Sequence, residues 1–192
     1  MNELKKYTEK EKNLIKACQD NDRKAQFEFY QLYSVKILGI CYRFAGDYDT
    51  ANDLLQEAFI RIFKYLHRYR FEGSLEGWLK KITVRTSIDF LKKHHSKDFV
   101  DTENMKEPEA PSELDEQYDT EFIMNEIALL PTGFRTILNL YAIEGYSYTE
   151  IAEMLNIKEV SVRSQYMRAK QKLAASLKEK HHIHYATKVL WR

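Results

Sequence analysis

The feature that most limits how this chain can fold is a run of acid in its middle. Between Ser96 and Glu121 two lysines stand against ten Asp and Glu, a local charge of −8, and two of the chain's three prolines fall in the same stretch. So little apolar surface at so high a like charge cannot offset the entropy of ordering a chain. The stretch therefore predicts a flexible acidic linker over 96–120, with a folded body on each side at 1–95 and 121–180 and a basic tail at 181–192. The flanks carry the opposite sign. Residues 1–95 hold 18 Lys and Arg against 13 Asp and Glu, and residues 158–192 carry a net +7. The chain as a whole is only +1, so a nucleic-acid partner is legible in the distribution of charge and not in its sum. The acid itself reads either as a solvated tether or as a strip that occupies a basic channel.

Both flanks read as helix, and no segment carries a strand signal, so the fold class is all-α. Helices are predicted at about 8–19, from Asp22 to Ala45, from Thr50 to Tyr69, and from Leu75 to Lys93. The second places Ala25, Phe29, Leu32, Tyr33, Ile37, Ile40 and Cys41 on one stripe and stops at Gly46. The third buries Leu55, Ala58, Phe59, Ile62, Phe63 and Leu66. The fourth turns Trp78, Leu79, Ile82, Ile88 and Leu91 inward. After the acid, one helix runs from Glu121 to Leu130 and another from Pro131 to Ile143. Ser147 to Glu150 is a capping box ahead of a short helix that ends at Leu155, and a long helix follows from Glu159 to Lys178. The second body is thus a four-helix domain.

Within it, residues 148–167 have the pattern of a helix-turn-helix. Ala152 is small where two helices cross, Asn156 suits a left-handed turn, and Ile151, Leu155, Ile157 and Val162 clamp the pair. Val162, Tyr166, Ala169 and Leu173 form an inner face on the last helix. Ser161, Ser164, Gln165, Arg168 and Lys172 are expected on the outer one, where they can enter a major groove. A solvated helical hairpin is the plainer reading of the same pattern.

Other classes find little support. Cys18 and Cys41 match no ligand spacing and read as reduced, buried thiols of a cytosolic protein. No apolar run is long enough to span a membrane, and the first residues lack the apolar core of a signal peptide. There is no Gly-rich phosphate loop or nucleophile motif, so no enzyme and no cofactor is expected. His181, His182 and His184 have no companion carboxylate or thiol at metal-ligand spacing.

Several motifs then converge. Asp53-Leu-Leu-Gln-Glu-Ala-Phe59 is similar to the "DLVQE-F" signature of bacterial RNA polymerase sigma factors. Phe71-Glu-Gly-Ser, Trp78-Leu-Lys-Lys-Ile82 and Ile88-Asp-Phe-Leu91 resemble the pattern "F-G----WL--IA-N---D-LR" of their small extracytoplasmic-function (ECF) group. Leu130-Pro131, Arg135, Leu140-Tyr141, Glu144-Gly-Tyr-Ser147, Glu150-Ile-Ala-Glu-Met-Leu155, Ser164-Gln and Arg168-Ala-Lys170 look like that group's second domain. The resemblance covers about residues 10–93 and 120–177.

It implies a non-enzymatic subunit that directs core polymerase to promoters. The first domain, sigma region 2, would dock on the clamp helices of the largest subunit through Asp53, Gln56 and Glu57. It would also read the −10 element with the 67–77 loop and the fourth helix. There Arg68, Arg70, Lys80, Lys81 and Arg85 would meet phosphates, and Tyr69, Phe71 and Trp78 would offer rings to unpaired bases. The second domain, sigma region 4, would bind the flap of the β subunit, and the −35 element through Ser161, Ser164, Gln165, Arg168 and Lys172. The linker would thread near the active-site channel. The implied place is the cytoplasm, at the nucleoid within holoenzyme, with promoter DNA as the other partner; an anti-sigma factor is left open. Three departures stand out: Arg85 where the family often has Asn, Val160 for a common Gly, and Lys158 for a Ser or Thr cap. The competing reading is a helix-turn-helix regulator that binds DNA alone.

Overall fold

The computed structural model describes residues 7–95, 99 and 120–190, with side chains to residue 180. Apart from Phe99 and Thr120, the acidic linker lies outside the described residues, as do the side chains of the His181–His184 tail. The chain divides into two compact units, Met1–Phe90 and Leu91–Arg192. Among the described residues every regular element is helical, and no helix is long and apolar enough to cross a membrane.

The first unit packs α1 (Glu9–Gln19), α2 (Arg23–Ala45), α3 (Tyr48–Leu66) and the start of α4 (Leu75–His94) around one core. Its helices begin where short polar side chains can satisfy free N–H groups. Thr8 and Glu11 form a reciprocal capping box on α1, and Asp22 accepts from the N–H groups of Lys24 and Ala25 at 2.8 and 2.9 Å. α2 stops at Gly46, which adopts the left-handed conformation that closes a helix (φ 84°).

The stripe on α2 is narrower than its sequence suggests. Ala25, Phe29, Ile37, Cys41 and Ala45 are buried on a row in steps of four, and Phe44 is buried beside its end. Leu32 is off that row and 56% exposed. α3 starts two residues earlier than expected, because Asp47 is its cap: its carboxylate accepts from the Thr50 N–H at 2.8 Å. It also ends three residues earlier. Beyond Leu66 the N–H groups of Arg68 and Tyr69 reach back three residues, which tightens the chain into a turn.

The second unit holds α5 (Thr120–Ala128), α6 (Thr132–Leu138), a wide π-turn (Asn139–Ile143), α7 (Tyr148–Leu155) and α8 (Glu159–Leu190). Ile127, Leu130, Leu138 and Ala169 centre its core. Pro131 caps α6 from outside the helix instead of opening it. The end of α5 is closed by Arg135, a buried guanidinium that donates to the carbonyls of Ala128 (2.9 Å) and Leu130 (2.8 Å). Glu126, also buried, accepts from the Lys180 ammonium at 3.0 Å and from the Ser176 hydroxyl, so α5 is tied to α8. The helix expected to run to Ile143 widens at Asn139, where the Glu144 N–H bonds the carbonyl five residues back.

Candidate polymerase and nucleic-acid contact surfaces

On α3 the helical period separates two chemistries. Leu54, Leu55, Ala58, Phe59, Ile62 and Leu66 are buried, while Asp53 and Gln56 stand exposed on the other side. Glu57 is half-exposed and is not loose: its carboxylate accepts from the Arg61 guanidinium at 3.1 Å, and Arg61 also donates to Asp89 of α4 at 2.6 Å. These two carboxylates, Asp89 foremost, raise the Arg61 pKa. The face thus offers one open carboxylate, one open amide and one carboxylate held in place by a clamped arginine. Arg61 lies one turn after Glu57, a spacing that signals the pair in the sequence; Asp89 is reached only through the fold.

The 67–77 loop leaves the end of α3 and enters α4. Arg68 and Arg70 are exposed, and the Arg68 guanidinium lies over the Tyr65 ring, 5.3 Å from its centroid. Lys81 and Arg85 follow one turn apart on the exposed side of α4, with Lys80 half-buried a third of a turn away. The aromatics are arranged differently from expectation. Tyr69 is 5% exposed and Phe71 and Trp78 are half-buried. The Tyr69 ring packs against Phe71 and Trp78 at 5.5 and 5.3 Å, so these rings build the loop before they can offer anything to a base. Sequence shows aromatic residues in a basic loop, but not which of them must fill the space beneath it.

Two backbone positions give this loop its shape. Gly73 has φ +80° and Phe71 has φ +62°. For a bulky residue the left-handed region costs about 1–2 kcal/mol, so neighbouring contacts must hold Phe71 there. They come from Tyr7, which precedes α1. The Tyr7 hydroxyl donates to the Gly73 carbonyl (2.7 Å), accepts from the Leu75 N–H (2.6 Å) and bonds the Tyr69 hydroxyl. Its ring meets Tyr69 and Phe71 edge-on. At the other end of α1, the Gln19 amide donates to the carbonyls of Leu66 (2.9 Å) and Tyr69 (3.0 Å). No sequence signal marks either residue, because their partners lie 47 to 68 positions away.

In the second unit α7 and α8 meet as the pattern requires. Ser147 and Glu150 form the capping box, Asn156 takes the left-handed turn (φ 57°), and Ile151, Ala152, Leu155, Val162 and Ala169 are buried. Tyr166 and Leu173, expected fully inside, are half-buried. Three tyrosines add a contact that sequence did not disclose. Tyr141, carried by the π-turn, stacks on Tyr148 at 4.3 Å and leans on Tyr166 at 4.6 Å. Arg163 of α8 lies over the Tyr148 ring and pairs with Glu159, which also accepts from the Thr149 hydroxyl. Burial pushes the Tyr148 phenol up to about 12.

The outer face of α8 departs from expectation. Lys172 is exposed and Arg168 half-exposed, but Ser161, Ser164 and Gln165 are buried, Gln165 to 3%. Serine is short enough to be covered at the helix surface, and Gln165 follows Val162 by three residues, at the flank of the inward stripe. Val160, not expected as a reader, is openly exposed at the start of the helix. Among the described residues no group of three or more His, Cys, Asp or Glu is placed to hold a metal ion.

Comparison with known proteins identifies the family. Residues 29–97 match the model of sigma-70 region 2, and residues 121–173 match that of sigma-70 region 4. The RNA polymerase sigma-H factor of Pseudomonas aeruginosa is 28% identical over 182 residues, covering 88% of this chain and 94% of its own. The ECF RNA polymerase sigma factor SigW of Bacillus subtilis is 28% identical over 181 residues, covering 88% and 97%. The chain belongs to the ECF sigma factors. It is an RNA polymerase sigma factor of transcription initiation, in a family of non-enzymatic factors, and the reading as a regulator that binds DNA alone is not favoured. A co-crystal structure of the sigma factor RpoE with the anti-sigma factor NepR from Bartonella quintana shares 17% identity, covers 79% of this sigma factor and 95% of that chain, and has a TM-score of 0.48. The α3 face and the 67–77 loop of this sigma factor lie inside the region 2 match, and α7 and the first half of α8 inside the region 4 match. Tyr7 and Gln19 lie outside both.

Proposed function

We propose that this sigma factor docks on core polymerase through the polar face of α3, opens the −10 element with the 67–77 loop and α4, and reads the −35 element with α8. The domain boundaries that go with this reading are 1–95 for region 2, 96–120 for the linker, 121–180 for region 4 and 181–192 for the tail. The observation that carries it is the continuity of α3 with the loop. One rigid helix presents Asp53, Gln56 and the clamped Glu57 on its side, and feeds Arg68 and Arg70 from its end. A helix docked by its side therefore fixes where its basic end falls. Lys81 and Arg85 extend the positive surface along α4, and Lys80 flanks it; cations beside aromatic rings suit a single strand.

In region 4, Arg168 and Lys172 are placed for groove and phosphate contacts. Ser161, Ser164 and Gln165 can reach bases only when their cover is drawn away. The implied contacts are the clamp helices of the largest subunit for α3 and the flap of the β subunit for region 4, with promoter DNA between.

Competition for purified core polymerase tests the docking. Asp53→Ala with Glu57→Ala removes the open carboxylate and the held one without touching the buried face. Helix content should be unchanged and affinity for core should fall about tenfold or more. Equal competition by variant and wild type would rule this face out.

A further inference from the structure

The 67–77 loop is held by a residue that neither family match includes. We propose that Tyr7 is a positioning residue for strand opening: it keeps the loop in the shape that presents Arg70 to an unpaired strand. The proposal rests on the reading of this loop as the −10 site.

A phenol has one proton to donate and two lone pairs with which to accept. Tyr7 has three polar partners within bonding distance. It donates to the Gly73 carbonyl, and its oxygen takes the Leu75 N–H and faces the Tyr69 hydroxyl. The Leu75 N–H belongs to the first residue of α4, where an N–H has no partner inside the helix. Gly73 is a left-handed glycine whose carbonyl lies within reach of two phenols, Tyr7 at 2.7 Å and Tyr69 at 3.1 Å, and Tyr7 is the one that also takes the Leu75 N–H. The Tyr7 ring meets Phe71 at 5.8 Å and Tyr69 at 6.3 Å, supporting Phe71 in its strained conformation. Gln19 grips the start of the loop, on Leu66 and Tyr69. The loop backbone is therefore bonded at one end by Gln19, the last residue of α1, and at the other by Tyr7, which precedes that helix.

The consequence is one of population. A loop that samples several shapes binds a strand only in the fraction of time it holds the competent one, and its apparent affinity drops by that fraction. Tyr7→Phe removes the hydroxyl and keeps the ring in the core of the first unit. The fold should therefore survive while the loop loosens.

The experiment uses the full chain assembled with core polymerase, in wild-type, Tyr7→Phe, Tyr7→Ala and Arg70→Gln forms. Heparin-resistant complexes are counted on a duplex promoter and on the same promoter premelted across the −10 element. For Tyr7→Phe we expect unchanged competition for core, an unchanged melting temperature of the free chain, and about tenfold fewer open complexes on duplex. Premelting should recover most of that loss. Tyr7→Ala should lose more, and if it does not fold, Tyr7→Phe decides. Wild-type opening by Tyr7→Phe beside impaired opening by Arg70→Gln overturns the role of Tyr7 and leaves the loop reading standing. Wild-type opening by both overturns the loop reading and the proposal with it. An equal loss on both templates with a lowered melting temperature marks Tyr7 as merely structural and also overturns the proposal.

Discussion

At the scale of single residues the fold rests on buried groups with definite partners. Arg135 is the plainest. Its guanidinium is the donor that the carbonyls of Ala128 and Leu130 find at the end of α5. Arg135→Met keeps the stem and removes the donors, so the second unit should lose about 2–4 kcal/mol, read as an earlier urea midpoint. The cysteines make a different prediction. Burial pushes Cys18 up to about 11 and Cys41 up to about 12, whereas an unfolded thiol ionises near about 8.5. The folded state keeps protons that the unfolded state releases. Stability is therefore complete below about pH 8.5 and is lost as pH rises toward the folded values. Urea midpoints between pH 8 and 10 should fall with pH, and less steeply for a Cys18→Ala, Cys41→Ala protein. That both thiols are free and buried was legible from their spacing and apolar neighbours. Tyr7 was not, because a tyrosine among charged residues near a chain start has no periodic partner to betray it.

At the scale of elements, starts and stops were written locally and the exceptions were not. Asp22, Gly46, Ser147 and Asn156 act as caps or stops where the sequence put them, because each works through backbone groups within a few residues. Asn156 sits at φ 57°. Asn156→Gly should leave stability within about 1 kcal/mol, while the β-branched Asn156→Val should cost about 1–3 kcal/mol and loosen the α7–α8 turn. Thermal melts would separate them. The misreadings come from tertiary packing. Leu32 reads as core until the buried row of α2 is seen to step by fours. Ser161, Ser164 and Gln165 read as an open face because polarity reports chemistry and not cover. The π-turn at Asn139–Ile143 has no local signature; its effect is the Tyr141 stack on Tyr148. On α8, Lys172 is exposed, so Lys172→Ala should weaken promoter binding evenly across sequences and lower the salt slope by about 1. A change in base preference would contradict that.

At the scale of the whole molecule the claim is a division of labour. A helix in a groove can hold duplex DNA without melting it, and melting needs a site that prefers unpaired bases. We propose that in this chain the site is the loop at the end of α3, where Arg68 and Arg70 are exposed and the rings beneath them are packed. The acidic run along the chain foretold two bodies, and the motifs foretold the family to which both belong. What they could not supply is the shape of the loop, which is bonded by Gln19 of α1 and by Tyr7 ahead of it. Unstacking a base costs a few kcal/mol, and so short a loop offsets that at one or two bases only. Permanganate footprinting of holoenzyme on a duplex promoter tests this most directly. With Arg70→Gln, thymines of the −10 element should lose most of their reactivity while closed-complex binding stays near wild type. Thymine reactivity equal to wild type would contradict the account.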